Sequence, residues 1–162
     1  MAVENLKSVQ ISKEEAGQNL MPSERSGRMR WAYGLVTTTE TTSSSGSTYR
    51  MVRIPAHAVP VHIDIFAVGN PPATNLPNVS CGAMSVEDES LFDIDSISVG
   101  TVLDDLGNHP QLGRGNLTTD QQAWEFTGAS ENPGGDVDIL IALSTDATVA
   151  GTISMNVYYV VD

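Results

Sequence analysis

The chain has 162 residues, of which 40% are hydrophobic and 17% charged, and its formal net charge is −12 at pH 7. That length suits one domain with a self-sufficient core, and no run approaches the ~20 apolar residues of a membrane span. The single cysteine excludes an intrachain disulfide framework and a cysteine-rich zinc site.

The charge is unevenly spread. Residues 1–53 hold seven of the eight Lys and Arg against five acids, whereas residues 54–162 hold Arg114 alone against fifteen acids. Such a body repels phosphate, so neither nucleic acid nor membrane is an expected partner. The bland reading is an acidic, solvated surface. The sharper one is a mildly basic arm that docks and an acidic body that faces water.

Residues 1–28 read as the arm. Met1 to Lys7 has no apolar signal core, so no secretory signal is expected. Ser12-Lys13-Glu14-Glu15 fits a capping box, and Gly17 and Pro22 keep any helix short. Its apolar positions are Val3, Leu6, Val9, Ile11, Leu20 and Met21, and its cations include Lys7, Lys13, Arg25 and Arg28, with Arg30 just beyond. An arm of this composition is expected to order on a partner.

Residues 29–162 read as one β-domain. Met29, Trp31, Tyr33 and Leu35 alternate with Arg30, Ala32, Gly34 and Val36, the period of a strand. Thr37 to Thr48 holds ten Ser or Thr in twelve residues and predicts an exposed loop or the tip of a long hairpin. The return strand runs from Tyr49 to Ile54, with Arg50, Val52 and Ile54 on one side and Tyr49, Met51 and Arg53 on the other. Pro55 and Pro60 bracket a link. Val61, Ile63, Ile65 and Ala67 then alternate with His62, Asp64 and Phe66.

After a Pro- and Asn-rich loop, Val79 to Val86 reads as a short, weak strand, and Leu91 to Ile97 as another. Gly100 to Gly135 is the least patterned stretch, with Gln122 to Phe126 as a candidate strand. Val137 to Ser144 and Thr152 to Val161 alternate cleanly. Asp146 and Gly151 between them predict an antiparallel hairpin, each strand with one buried face. Seven or eight short strands without a convincing helix predict an all-β fold, a jelly-roll-like antiparallel β-sandwich with an N-terminal arm.

Two segments carry a resemblance: Arg53-Ile54-Pro55-Ala56-His57-Ala58-Val59 leading into Val61, Ile63 and Ile65, and the final run from Ala150 to Asp162. Together they resemble small virion structural proteins of tailed bacteriophages, the capsid decoration or cement proteins. The resemblance implies a β-sandwich body, oligomers on the outside of an icosahedral head, the major capsid protein as partner, and no catalysis. It carries no active-site residue, cofactor or metal over to this chain.

The chemistry-bearing residues agree with a non-enzymatic reading. Cys81 lacks a signature with any of His57, His62 and His109, so a small buried side chain outweighs a nucleophile. Asp93/Asp95, Asp104/Asp105 and Asp136/Asp138 are acid pairs that could hold Ca²⁺, but none matches an EF-hand loop, and solvated faces are the better reading. Asn78-Val79-Ser80 and Asn116-Leu117-Thr118 match a glycosylation sequon, which means little without a signal peptide. Trp31 and Trp124 could line a sugar site, although a core or subunit-interface role is favoured.

The expected function is therefore that of a capsid cement protein on the outer surface of the virion, made in the host cytoplasm. It docks through Val3, Leu6, Lys7, Val9, Ile11, Lys13, Leu20, Met21, Arg25, Arg28 and Arg30, and it self-associates, a trimer favoured over a dimer. The alternative is a head-fibre or tail-associated module that binds host-surface carbohydrate. An enzyme ranks third, because no set of residues has matching roles.

Overall fold

A computed structural model describes residues 16, 28–38, 46–69, 78–102, 111–112, 121–143 and 151–161. Among these residues eight strands form: β1 (Arg28–Thr38), β2 (Thr48–Pro55), β3 (Val59–Gly69), β4 (Asn78–Ser85), β5 (Phe92–Val102), β6 (Gln111–Leu112), β7 (Asp136–Leu143) and β8 (Gly151–Val161). One 3₁₀ turn, Ala123–Thr127, precedes β7. The strands make two four-stranded sheets, ordered β1-β8-β3-β6 and β2-β7-β4-β5. Every pairing is antiparallel, so the fold is an all-β sandwich.

The pairing follows one rule. β1 joins β8, β2 joins β7, β3 joins β6 and β4 joins β5. Contacts of β3 with β8 and of β4 with β7 then zip these pairs into sheets. The core lies between the sheets. Ile153, Met155, Val157, Tyr159 and Val161 of β8 face it, opposite Val137, Ile139 and Ile141 of β7. Each fully buried Val or Ile contributes about 1.5–3 kcal/mol of transfer free energy. The 3₁₀ turn plugs one end of this core with Ala123 and Phe126. It is tied down by Ala123 N donating to Ala58 O at 2.8 Å and Trp124 N donating to Ala56 O at 3.1 Å.

Several expectations need correction. β7 and β8 are not a hairpin: they lie in different sheets and each pairs with strands far away in sequence. β1 and β2 likewise fall in different sheets and are not the two strands of a hairpin. Gln122 to Phe126 is no strand, because Ala123–Thr127 is the 3₁₀ turn. β7 is buried on both faces, since Asp138, Leu140 and Ala142 are as inaccessible as Ile139 and Ile141.

Short side chains set two close approaches. Gly34 of β1 faces β2, where a Cβ would sit 1.9 Å from Met51 O. The two sheets therefore meet tightly along the β1–β2 edge. On the other sheet, a Cβ on Gly82 would sit 1.9 Å from Asp93 O, because β5 bulges across β4 between the Ala83–Asp93 and Cys81–Ser98 pairs. β4 reads as weak because it is made of such small residues, yet it is a fully enclosed inner strand.

Candidate interaction surfaces

The outer face of the β1-β8-β3 sheet is a ruled array. In register, Trp31 of β1 stands opposite Tyr158 of β8, which stands opposite His62 of β3. The next rows are Tyr33, Asn156 and Asp64, then Leu35, Ser154 and Phe66. The period of two puts these side chains on one face. Large apolar groups there are open to solvent: Met29 is 70% exposed, Trp31 63%, Tyr33 54% and Leu35 53%. Trp31, Tyr33, Asn156 and Tyr158 line a shallow groove. The His62 and Tyr158 rings lie 5.7 Å apart, and His62 Nε2 is 2.7 Å from Asp64 Oδ1.

This inverts the ordinary packing of a strand. The small members of the β1 alternation, Ala32 and Gly34, turn inward, and the large ones turn outward. The close approach at Gly34 leaves no room inside for anything larger. A core role for Trp31 is thereby overturned, whereas Trp124 packs against the core and donates from Nε1 to Gln122 Oε1 at 2.9 Å. An apolar face on an edge strand is a liability that proteins cover or use.

A second surface lies on the other sheet, where β5 forms an edge. Phe92 is 54% and Ile94 37% exposed there, beside Asp93 and Asp95 and the acidic turn Glu87-Asp88-Glu89. Asp95 is held above the ordinary carboxylate range by the side chain of Asp93 next to it. Asp88 is held below it by hydrogen bonds from Ser90.

Near the β2 edge of this sheet sits an ion cluster that the sequence did not reveal. A bulge between Arg50 and Val52 makes Met51 an extra residue. Arg50 and Arg53, expected on opposite sides of β2, consequently share the outer face. Arg50 Nε and Arg53 Nε each donate to Asp138 at 2.7 Å, and Arg50 Nη1 donates to Glu89 Oε1 at 3.0 Å. Burial raises the Asp138 carboxyl, but the two guanidiniums outweigh it and hold the group below the usual range. Asp138 is thus occupied by arginines.

The remaining chemical candidates fall into place. Cys81 is buried in the core, and burial pushes its thiol up to about 12, which removes the thiolate a nucleophile needs. Asp93 accepts a bond from Asp95 N at 3.2 Å, a local turn. Among the described residues no three His, Cys, Asp or Glu converge as for a metal ion. His109, Asp104, Asp105 and Asn116 lie outside the described residues, as do the arm positions Val3, Leu6, Lys7, Val9, Ile11, Lys13, Leu20, Met21 and Arg25. Arg28 and Arg30 are exposed at the start of β1, with no acid paired to them among the described residues.

No family model matches the sequence, and no curated protein matches it. Solved structures do. The chain is similar to one in the capsid of Ralstonia phage GP4, with a TM-score of 0.64 and 14% identity, covering 84% of this chain and 86% of that one. It is also similar to a chain of the cyanophage Pam1 capsid asymmetric unit, with a TM-score of 0.50, 15% identity, and 84% and 86% coverage. A chain of the acid-stable capsid of Helicobacter pylori bacteriophage KHP30 matches with a TM-score of 0.50, 19% identity, and 82% and 87% coverage. At these identities the likeness establishes a shared fold.

Proposed function

We propose that this chain is a non-catalytic structural protein of a phage virion that binds the outside of the assembled capsid and stabilises it. The observation that carries the reading is one of size as well as shape. The matched capsid chains align over more than four-fifths of both partners, so they are nearly as long as this one. The strand order supports the finer assignment, a jelly roll: four antiparallel pairs wrapped into two sheets.

The mechanism is mass action. A protein that binds the closed shell but not its loose subunits shifts the equilibrium toward the shell. The arm, residues 1–28, docks through its apolar positions, and Lys7, Lys13, Arg25 and Arg28 with Arg30 meet acidic shell surface. Several copies joined together raise avidity without new contacts. The acidic body faces solvent. Co-sedimentation with cognate capsids stripped of this protein tests the reading, comparing the full chain with one starting at Met29. Saturable binding by the full chain alone supports both shell and arm. Binding by both removes the arm from the mechanism, and binding by neither removes the capsid.

One observation favours a second reading, a module that binds host-surface carbohydrate. Trp31, Tyr33 and Tyr158 with the Asn156 amide make an open aromatic groove of the kind a sugar ring stacks on. A glycan array that returned a ligand lost in Trp31→Ala would advance it.

A further inference from the structure

The six large hydrophobic side chains exposed among the described residues are Met29, Trp31, Tyr33, Leu35, Phe92 and Ile94. They fall on two strands only, β1 and β5, and each is the edge strand of its sheet. Because β1 packs beside β2, while β5 ends the sheet that β2 begins, the two patches lie on opposite edges of the sandwich.

The patches are complementary in a second property. β1 opens Arg28-Met29-Arg30-Trp31, cation alternating with apolar group. β5 opens Phe92-Asp93-Ile94-Asp95, apolar group alternating with acid. Arg50 and Arg53 are already committed to Asp138 and Glu89, whereas Arg28 and Arg30 have no acid among the described residues. Asp93 and Asp95 crowd each other, a tension that a nearby cation relieves. Two β1 edges facing each other would bring like charges together, and so would two β5 edges. One of each brings opposite charges and apolar groups together at once.

We infer that the occupant of the β1 edge is the β5 edge of a second copy of this chain, in a head-to-tail contact. Trp31 and Met29 cover Phe92 and Ile94, and Arg28 and Arg30 flank Asp93 and Asp95. The bulge in β5 interrupts its ladder, so side chains carry the contact rather than a continuous backbone ladder. A contact between two different patches repeats from copy to copy and closes into a ring when the rotation allows. The body otherwise carries a large acid excess that keeps copies apart, and pairing β1 with β5 is an approach that charge favours.

The test is a mixing experiment on the full chain, read by sedimentation velocity. Wild type assembles, and added salt weakens it. Trp31→Glu and Phe92→Glu each yield monomers, at least about tenfold weaker in self-association. Both residues are exposed, so unchanged melting shows that the variants are folded. Mixed together, the two monomers form a one-to-one dimer, because each retains the face the other lost. Arg28→Asp with Arg30→Asp abolishes assembly, and adding Asp93→Arg with Asp95→Arg restores it. The inference is overturned if Phe92→Glu assembles like wild type, which would mean a β1-to-β1 contact. It is also overturned if the mixture stays monomeric, or if wild type is monomeric up to about 1 mM, the weak end of specific association. No capsid enters this experiment, so its outcome is separate from that of the shell-binding reading.

Discussion

Arg53 grips Asp138 with two parallel hydrogen bonds, Nε to Oδ1 at 2.7 Å and Nη2 to Oδ2 at 3.0 Å. Arg50 closes the same carboxylate from the other side. Asp138 is only 4% exposed, so its carboxylate depends on these donors in place of water.

Removing both guanidiniums, Arg50→Ala with Arg53→Ala, is expected to cost about 2 kcal/mol or more, because a buried charge loses its partners. Urea unfolding at neutral pH measures it. The pH dependence has a defined sign. Asp138 is lowered in the folded state, so its contribution is present above the ordinary carboxylate value of about 3.9 and is lost as pH falls through the folded value. Wild type therefore loses stability below about pH 4 more steeply than Asp138→Asn does.

Gly34→Ala and Gly82→Ala probe the two close approaches. Each added Cβ would meet a backbone carbonyl oxygen at 1.9 Å, and backbone cannot step aside as a side chain can. Each substitution is expected to cost roughly 1–3 kcal/mol. Shifts in denaturation midpoint at unchanged slope are the readout.

Cys81 should be silent toward a thiol reagent in the native protein and react fully once denatured. Its burial, and a thiol pushed up to about 12, leave almost no thiolate at neutral pH. Rapid native labelling would contradict the enclosed position of β4.

The tryptophans should report separately. Trp31 is expected to emit at long wavelength and be quenched freely by acrylamide, and Trp31→Phe removes that component. Trp124, packed on the core with its Nε1 bonded to Gln122, should be shielded. Assembly through β1 would shift the Trp31 emission to shorter wavelength.

Much of the fold is legible in local pattern. Ile153, Met155, Val157, Tyr159 and Val161 announce a strand with one core face, and the structure agrees. So do Ile63 and Ile65 against His62, Asp64 and Phe66. What local pattern does not carry is partnership. Asp146 and Gly151 invite a hairpin, but β7 and β8 find better-matched neighbours in distant strands. Nor does alternation say which of its two sets turns inward. In β1 the apolar sets are Met29, Trp31, Tyr33 and Leu35 on one side and Ala32, Gly34 and Val36 on the other. The tightness at Met51, a property of the other sheet, decides between them. The bulge at Met51 was equally hidden, and with it the Arg50–Asp138–Arg53 cluster, since one extra residue moves a side chain to the opposite face.

β8 is laddered along its whole length to β1, and from Gly151 to Val160, with one irregularity, to β3. Arg28 is thus joined to Val161, and β1 waits for a strand made far later in the chain. A ribosome emitting this chain releases β1 to β7 before either neighbour of β8 can be sealed. Until then the hydrogen-bonding edges of β1 and β3 that β8 will occupy stay open. Pairings this distant are slow to find, so the vulnerable interval runs from synthesis of Gly69 to arrival of Val161. A chain ending before β8 would carry two unsatisfied strands, a natural substrate for proteolysis rather than assembly.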